Sequence, residues 1–544
     1  MISESVLSSR RKNMKSAGFW IDKTMEDFMA MALASSPNKE ALTAYRHDQS
    51  GPQRFTYLQL SEKINLAAQS LYGMGVRQGD VVSVQLPNWW EFVVITLACG
   101  RIGAVMNPLM HIFRERELTY MIGFAKSKVL FIPKKYRDFD FEKMVEGMRQ
   151  DLPDLAHVVV VGGSGSNSFE NFLQADVLDS GLSIPKGASP LKPDDLAVLM
   201  FTSGTTGSPK GVMHTSNTLV SCMNALSHRF GVGNQDVYLA STPVGHMTGY
   251  VAVVLIGLRN GGKVVLQDFW DPHQGVAIMM KEEVSYFAAS TPFLNDICEV
   301  VEAQNLRLPH LRSFLCGGAP IPPVLIDRAR DRVGIRVCSL WGMTEILSGT
   351  LTEPARSIDK SSSSDGRVLE GMEILLVDDS GVGVPQGQTG RLWVRGAQVF
   401  LGYYKQPDIQ AFNTEGWFDS GDLAYMDDEG YIRIAGRTKD VLIRGGENVP
   451  VIEIEGLLLK HPAIKGVSIV GYPDLRLGER ACAFVVLRDG DTFNLKELQD
   501  YMAASKVAKQ YWPEKVEVVD QLPVTPAGKI QKFKLKEIAK KFAA

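Results

Sequence analysis

Residues 199–211 read LMFTSGTTGSPKG, and this stretch decides how the rest of the chain is interpreted. An apolar run at residues 196–201 predicts a buried strand, and a segment rich in glycine, serine and threonine follows it and ends at Lys210. Glycines let a backbone approach a polyphosphate closely, N–H groups and hydroxyls donate to phosphate oxygens, and lysine adds a positive charge. The stretch therefore predicts a phosphate-binding loop directly after a strand.

This loop differs from the Walker A pattern of other nucleotide-binding proteins. That pattern, G-x-x-x-x-G-K-[ST], requires glycine five residues after Gly204, where this chain has Pro209, and Ser or Thr after the lysine, where it has Gly211. An exposed Gly/Ser linker, such as residues 162–168, is the plain alternative. A linker does not require a lysine fixed behind a proline, so we favour the phosphate loop.

Strand and helix patterns alternate before the loop. Residues 81–86 predict a buried strand, residues 88–100 a helix and residues 104–107 a second strand. Further strands are predicted at residues 128–132 and 157–161. Strand–helix–strand units of this kind indicate a layered α/β fold.

The pattern changes after the serine run at residues 361–364. Short strands separated by glycine turns indicate a β-rich subdomain, and mixed helices and strands follow residue 437. The segments predicted are strands at 373–377, 391–394 and 431–434, then helices at 451–459 and 495–504 with strands at 466–470 and 481–487. We predict an α/β protein with a large layered N-terminal domain, residues 1–436, made of two α/β subdomains and a β-rich subdomain. A small mobile α+β domain, residues 437–544, would follow.

Length, charge and cysteine usage limit the classes of protein that fit. At 544 residues the chain is too long for a single hydrophobic core, so two or more domains are expected. The near-neutral net charge of −3 gives no electrostatic reason to expect a nucleic-acid partner. Six scattered cysteines without a C-x-x-C pair indicate free thiols in a reducing compartment. Without a secretory signal or a membrane-length apolar run, we predict a cytoplasmic protein with no integral membrane segment.

Several motifs along the chain resemble those of one protein family. In order they are TSGTTGSPKG at 202–211, WGMTE at 341–345, SGDL at 420–423, GRTKD at 436–440, RGGEN at 444–448 and PAGKI at 526–530. They resemble the motifs of the adenylate-forming enzymes, which comprise acyl-CoA synthetases, peptide-synthetase adenylation domains and beetle luciferases. The resemblance covers nearly the whole chain and is greatest to short- and medium-chain fatty acyl-CoA synthetases and cyclohexanecarboxylate–CoA ligases.

The resemblance implies an ATP site with one carboxylate for Mg²⁺. Glu345 is the implied Mg²⁺ ligand, which suits a metal that binds through one or two carboxylates and nucleotide phosphates, and Thr344 would contact the α-phosphate. Asp422 would bind the ribose hydroxyls with help from Arg437, at what the sequence indicates is the end of a strand. The other implied ATP- or AMP-binding residues are Thr202, Ser203, Gly204, Thr205, Thr206, Gly207, Lys210, Gly318, Ala319, Pro320, Trp341, Gly342 and Met343.

A lysine near the end of the chain is the implied catalytic cation. In isolation, Lys529 in a Pro/Gly turn would be interpreted as a solvated surface charge. By resemblance, the mobile C-terminal domain carries it into the active site, where it bridges the attacking carboxylate and the α-phosphate and eases the approach of two anions. The implied hinge is Lys439, and the other orientation of the domain would present Gly445 and Gly446 to the pantetheine arm of CoA.

Residues 242–250, TPVGHMTGY, resemble the family's P-x-x-H-x-x-G element at the acyl pocket. His246, another implied catalytic residue, would line the pocket near the carboxylate. The implied acyl and CoA channel adds Met247, Gly249, Gly317 and Ile346, with residues 251–258 as one wall and Met343, Ile346 and Leu347 as another. These segments place no cation for a second carboxylate and no carboxylate for an α-amino group. They therefore favour a short or medium aliphatic or alicyclic monocarboxylic acid.

The sequence therefore predicts an AMP-forming carboxylate–CoA ligase. Its substrates would be ATP, CoA and a small carboxylic acid, its metal would be Mg²⁺, and the resemblance admits a homodimer. Three alternatives stay open: an adenylating enzyme that loads a carrier protein in trans, a luciferase-like oxidation of an adenylate, and a non-catalytic nucleotide-binding regulator. The presence of Lys210, Glu345, Asp422 and Lys529 argues against the regulator, since a degenerate enzyme usually loses at least one such residue.

Overall fold

The architecture combines two sheets of mainly parallel strands with an antiparallel sheet and a smaller C-terminal sheet. The computed structural model describes residues 4–174, 185–202, 209–318, 321–438, 442–444, 447–474, 477–505, 507, 509–525 and 529–542. Helices cover the parallel sheets, as expected for strands that are buried on both faces. The predicted layered α/β class is confirmed.

Nine strands of the described chain form the large sheet. From edge to edge they are Arg367–Val368, Thr350–Leu351, Val337–Trp341, Ser313–Gly317, Tyr286–Ala289, Val237–Ala240, Lys263–Gln267, Glu40–Tyr45 and Gln53–Thr56. The interior strands run parallel, and antiparallel strands close both edges. Glu40–Tyr45 pairs in parallel with Lys263–Gln267, with Leu42 opposite Val264. An N-terminal segment therefore completes a sheet whose other parallel strands come from the middle of the chain.

Six strands among the described residues form the second sheet, which carries the predicted phosphate loop. In order they are Lys210–Thr215, Leu196–Thr202, Val105–Pro108, Val81–Val84, Val129–Pro133 and His157–Val161. Lys210–Thr215 runs antiparallel to its neighbour, and the other pairs are parallel. The predicted strand–helix–strand unit is confirmed with small shifts, since the helix between the strands spans Trp90–Ile102.

Two further sheets follow in the chain, and a short hairpin lies at Lys135–Tyr136 and Phe139–Asp140. The antiparallel sheet has the described strands Met372–Val377, Gly390–Gly396, Phe418–Met426 and Ile432–Arg437. The C-terminal sheet has the described strands Glu447–Val449, Leu442–Arg444, Gly478–Leu487, Ile464–Asp474 and Lys515–Val518. The predicted β-rich segment and the mixed C-terminal segment are both present. The domain boundary at residues 436/437 stays a prediction, and it falls within the strand Ile432–Arg437.

Helices occupy most of the remaining described chain. The α-helices are Glu4–Ser16, Met25–Ser35, Tyr57–Gly73, Trp90–Ile102, Glu115–Ala125, Phe141–Met148, Phe169–Phe172, Ser216–Phe230, Met247–Gly249, Ile256–Arg259, Pro272–Lys281, Thr291–Ala303, Pro323–Arg328, Ser357–Lys360, Val451–Leu458, Leu495–Ala504 and Lys532–Ala539. Two π-helical segments, Tyr250–Leu255 and Ala329–Val333, and the 3₁₀ turns Arg149–Asp151, Pro354–Arg356, Lys509–Tyr511 and Lys540–Phe542 complete them. Among the described helices, none combines the length and apolar character that a membrane span needs.

The large core lies around the second sheet and its helices and continues into the large sheet. It includes Cys99, Cys222 and Cys338. All six cysteines of the chain are free, as predicted, and all six are buried. A separate hydrophobic core is built mainly from the antiparallel sheet. Trp341 and Ile346 of the WGMTE region pack into this core. This motif therefore lies where the large sheet meets the antiparallel sheet.

A buried carboxylate in the first turn of Trp90–Ile102 should make stability depend on pH. Glu91 is 4% exposed, Arg46 Nη1 lies 3.6 Å from its Oε1, and its Oε2 has no hydrogen-bond partner among the described residues. Burial raises the pKa of Glu91 to about 7. A carboxyl with a raised folded-state pKa loses stabilisation as pH rises from its unfolded pKa to its folded pKa.

We therefore expect Glu91→Gln to match the wild type near pH 4 and to exceed it by about 3 kcal/mol in unfolding free energy at pH 8. Denaturant unfolding at both pH values measures this difference. Glu115→Gln, which changes an exposed first-turn glutamate of Glu115–Ala125, is the matched control. A Glu91→Gln difference that is the same at both pH values would contradict the prediction.

Candidate active site

The predicted phosphate loop joins two paired strands of the second sheet. Leu196–Thr202 leads into it and Lys210–Thr215 leads out, with Lys210 directly opposite Thr202 in the antiparallel register. The intervening loop residues Ser203, Gly204, Thr205, Thr206 and Gly207 lie outside the described residues. Both ends of the loop are therefore held at adjacent positions on one sheet edge.

Lys210 lies on an aromatic ring that also contacts the WGMTE motif. Its Nζ is 4.7 Å from the centre of the Tyr403 ring, within the range of a cation–π contact. The Tyr403 hydroxyl donates to Glu345 Oε1 over 3.0 Å. Tyr403 thus connects the lysine of one predicted motif to the carboxylate of another.

Glu345 is a buried carboxylate, and hydrogen bonds fix the positions of both its backbone and its side chain. It is 6% exposed, and burial raises its pKa, while the Tyr403 hydroxyl and the positive charge of Lys210 act in the opposite direction. The N–H of Phe400 donates to the carbonyl of Glu345 over 2.8 Å. Glu345 is therefore a fixed anion that lacks full solvation, which favours the binding of a cation.

His214 fixes the neighbouring residue, Thr344. This buried histidine lies on the strand Lys210–Thr215, and its Nε2 is 2.7 Å from the carbonyl oxygen of Thr344, so Nε2 carries the proton and donates. Its Nδ1 is 3.2 Å from Thr218 Oγ1. Burial lowers the pKa of His214 to about 4, so the ring is neutral at pH 7. The strand that leaves the phosphate loop thus positions the main chain beside Glu345.

Trp341, Asp422 and Arg437 form a second polar group at the junction of the sheets. Trp341 Nε1 donates to Asp422 Oδ2 over 2.8 Å, and Arg437 Nε donates to Oδ1 over 3.0 Å. Asp422 is buried and lies opposite Arg437 on the neighbouring strand. The expected strand end at Asp422 is wrong, because Phe418–Met426 continues past it. The pairing register with the neighbouring strand shifts between Leu423 and Ala424, just after Asp422.

The loop that follows Trp341 is tightly closed. A Cβ on Gly342 would lie 2.2 Å from the carbonyl oxygen of Leu347, and Leu347 itself has a left-handed φ of 58°. Such a conformation in a branched apolar residue costs energy and persists only where the surroundings impose it. Met343 and Thr344 are half-buried, while Ile346 packs into the antiparallel sheet's core and Leu347 into the large core. Leu347 therefore shares a core with residues 251–258, and Ile346 does not.

The TPVGHMTGY segment forms a turn followed by a buried, irregular helix. His246 caps Met247–Gly249, its Nδ1 accepting from the N–H of Thr248 over 3.3 Å. A Cβ on Gly249 would lie 2.5 Å from the carbonyl oxygen of Pro243, so only glycine fits this turn. The π-helical segment Tyr250–Leu255 follows directly and is wholly buried. Segments of this type recur at functional sites.

The C-terminal lysine contributes to the electrostatics of this histidine. Burial and, to a smaller extent, the positive charge of Lys529 lower the pKa of His246 to about 4. Lys529 is exposed, and its backbone is held by bonds in both directions with Thr525. The role of Lys529 in the active site stays a prediction.

The remaining predicted positions are placed only in part. Gly317 ends a strand of the large sheet, where a Cβ would lie 2.7 Å from the carbonyl oxygen of Leu340, and Gly318 has a φ of 82°. Ala319, Pro320, Lys439, Gly445 and Gly446 lie outside the described residues. The backbone at Gly317 and Gly318 is thus shaped for glycine, and the hinge and CoA-channel predictions stay predictions.

Sequence reasoning missed Tyr403 and His214. Each acts on Glu345 or Thr344 from a distant part of the chain, and neither belongs to a motif that we singled out. The adjacency of His214 to the phosphate loop was the one local signal. Tyr403 had none, since its role depends on a hydrogen bond between residues far apart in sequence.

The buried carboxylate of Glu345, the nearby Lys210, and the hydrogen-bonded group of Trp341, Asp422 and Arg437 together form a candidate active site. The chain belongs to the AMP-binding enzyme family: it matches the profile of that family over residues 29–404 and the AMP-binding enzyme C-terminal domain over residues 453–529. The adenylate-forming resemblance is therefore confirmed.

Relatives across the chain are acid–CoA ligases and similar enzymes. A medium-chain fatty-acid–CoA ligase of Escherichia coli is 35% identical over 531 residues, which is 97% of this chain and 92% of the relative. A salicylyl-CoA synthase / salicylate adenylyltransferase of Streptomyces is 32% identical over 90% of each chain. The crystal structure of ATP-bound MatB from Rhodopseudomonas palustris has a TM-score of 0.84 and 26% identity, covering 96% of this chain and 100% of that one.

Proposed function

We propose that this AMP-forming acid–thiol ligase activates a short- or medium-chain aliphatic or alicyclic monocarboxylic acid. The acid and ATP would give acyl-AMP and pyrophosphate, and CoA would then take the acyl group. One observation carries the proposal. The segment Tyr250–Leu255, which follows His246 closely in the chain, is wholly buried and has no charged side chain. An apolar wall without a charged group suits a substrate with an apolar body and a single carboxylate.

In the first step, a carboxylate oxygen of the acid attacks the α-phosphorus, and the bond to the pyrophosphate leaving group breaks. We assign Lys529 to the negative charge shared by the carboxylate and the α-phosphate, and the Thr344 hydroxyl to the α-phosphate. His246 would line the pocket beside the carboxylate as a neutral ring. A fixed cation aimed at developing charge is among the strongest contributions a site can make.

Glu345 is the proposed Mg²⁺ ligand. Its chemistry fits this metal, because it is a buried hard carboxylate and Mg²⁺ is usually held by one or two carboxylates with nucleotide phosphates. The bound ion would offset the charge of the phosphates. Tyr403 and Phe400 hold the carboxylate and its backbone in place, and Lys210 supplies a second positive charge next to the predicted phosphate loop.

The nucleoside would lie against the junction of the large and antiparallel sheets. Asp422 would accept from the ribose hydroxyls, because each carboxylate oxygen retains acceptor capacity beyond the bond from Trp341 or Arg437. The shaped backbone at Gly317 and Gly318, together with Trp341, would flank the adenine. The tight turn at Gly342 would place Met343 and Thr344 toward the phosphates.

In the second step, the CoA sulfur attacks the acyl carbon and AMP leaves. We propose that residues 437–544 move about Lys439 between the two steps, which would replace Lys529 with Gly445 and Gly446 at the site.

The acid itself is the part of the proposal most in need of a test. The relatives' names include both medium-chain fatty acids and salicylate, so an aromatic acid is the direct competitor of an aliphatic one. The Tyr250–Leu255 segment, YVAVVL, contains apolar residues and one tyrosine, and no charged group. That composition supports an apolar acid without a second charge.

A substrate panel tests the proposal. Pyrophosphate release, AMP and thioester are measured with ATP, CoA and acids from acetate to laurate, plus cyclohexane- and benzene-carboxylate and salicylate. Maximal kcat/KM for a medium-chain or alicyclic acid is the expected result. A maximum for an aromatic acid would overturn the substrate class. Pyrophosphate without thioester would shift the acceptor to a carrier protein, and no pyrophosphate with any acid would favour the regulator.

A further inference from the structure

The N-terminal helix Glu4–Ser16 carries a half-buried arginine, Arg10. This helix precedes residue 29, where the match to the family begins. Loss of solvation lowers the pKa of the Arg10 guanidinium to about 10, so it stays charged at neutral pH. Among the described residues, no carboxylate forms an ion pair with it. A cation that is partly removed from water and has no carboxylate partner must be stabilised by other polar groups.

Those groups are backbone carbonyls of one segment. Arg10 Nη2 donates to the carbonyl of Val399 over 2.5 Å, and Nη1 to that of Phe400 over 3.3 Å. The ring of Trp20 lies 5.4 Å from the Arg10 guanidinium, and its Nε1 donates to the carbonyl of Ala397 over 2.9 Å. The side chains of Arg10 and Trp20 thus donate hydrogen bonds to three backbone carbonyls within residues 397–400.

The same segment holds Glu345. The carbonyl of Val399 and the N–H of Phe400 belong to one peptide group; Arg10 donates to the carbonyl, and the N–H donates to the carbonyl of Glu345. Linked hydrogen bonds of this kind polarise and strengthen one another. Three residues further on, Tyr403 donates to the Glu345 side chain. Arg10 is therefore one peptide group away from the backbone of the proposed metal ligand.

We propose that Arg10 is a positioning residue for the first half-reaction, which fixes Glu345 through the peptide group between Val399 and Phe400. The inference rests on the proposed role of Glu345 as a metal ligand. It extends the active-site machinery into a segment outside the family match.

Half-reactions of matched variants test the proposal. Arg10→Ala should lower ATP–pyrophosphate exchange by about 10-fold and raise the Mg²⁺ concentration for half-maximal rate, the scale expected when a partner of a metal ligand is removed. Thioester formation from supplied acyl-AMP and CoA should stay near the wild-type rate. Arg10→Lys, which retains the charge and one donor, should recover part of the exchange. Arg11 is a neighbouring arginine that pairs with Asp194, and Arg11→Ala should leave the rate of ATP–pyrophosphate exchange unchanged.

Hydrogen exchange of the ligand-free protein gives a readout that does not depend on activity. The amide of Phe400 and the amides of residues 342–347 should exchange hydrogen faster in Arg10→Ala than in the wild type. In Arg11→Ala their exchange rates should equal those of the wild type. Two results would overturn the proposal and make Arg10 a structural residue. One is an equal loss of rate in both half-reactions, and the other is an unchanged rate of hydrogen exchange at these amides in Arg10→Ala. If Arg10→Ala does not fold, Arg10→Lys supplies the same comparison. Wild-type protein without pyrophosphate release would instead overturn the proposed function.

Discussion

Replacing Lys529 with alanine should slow ATP–pyrophosphate exchange by about 100-fold or more, the loss expected when one electrostatic donor to a transition state is removed. Lys529 lies close enough to His246 to lower the pKa of that ring. There it would stand between an incoming carboxylate and the α-phosphate, two anions that repel each other in its absence. Exchange measured at saturating acid and ATP separates this loss from weaker binding.

The second half-reaction should respond differently to the same change. If Lys529 acts only in adenylation, thioester formation from supplied acyl-AMP and CoA should remain near the wild-type rate in the alanine variant. Lys534→Ala, which removes an exposed lysine from the nearby helix Lys532–Ala539, controls for loss of charge in this region. Equal losses in both half-reactions would mean that Lys529 supports the domain's structure and has no specific role in adenylation.

Glu345→Gln should reduce pyrophosphate exchange on the order of 100-fold while leaving the protein at least as stable. Glutamine preserves the shape and can still accept from Tyr403, but it removes the charge proposed to bind Mg²⁺. Because burial raises the pKa of Glu345, the ionised side chain is itself unfavourable in the folded protein at neutral pH. The midpoint of thermal unfolding should therefore stay unchanged or rise as activity falls.

This combination of results distinguishes a functional carboxylate from a structural one. The control is Glu373→Gln, which changes an exposed glutamate paired with Arg395 on the antiparallel sheet. It should leave both exchange and the unfolding midpoint near the wild type. A Glu345→Gln variant that unfolds earlier in proportion to its lost activity, or whose Mg²⁺ dependence is unchanged, would contradict the assignment.

Local sequence patterns predicted the elements well where one physical signal dominated. The helix Leu495–Ala504 and the strand His157–Val161 have the predicted bounds, because their apolar periodicity is regular and turn residues flank them. The α/β class followed from the strand–helix–strand unit. The candidate residues of the ATP site came from motifs whose residue types are set by the chemistry of phosphate and ribose.

Relations between distant segments could not be predicted in this way. Asp422 was expected at a strand end, because its flanking glycine resembles a turn, yet the strand continues through a register irregularity. Tyr403, His214 and Arg10 act through hydrogen bonds to residues that are 58 or more positions away in the sequence. Nothing in the composition around them indicates those partners, since the tertiary fold alone brings them together.

The position of Glu40–Tyr45 in the large sheet has a consequence for synthesis on the ribosome. Leu42 pairs with Val264, so this strand must wait for roughly 220 further residues, about 10–45 s at typical elongation rates of about 5–20 residues per second. During that interval its apolar side chains and unpaired backbone are available to other nascent chains. Slower elongation lengthens this exposure, and chaperones that bind extended apolar segments should capture the first sixty residues of the nascent chain until the parallel partner emerges.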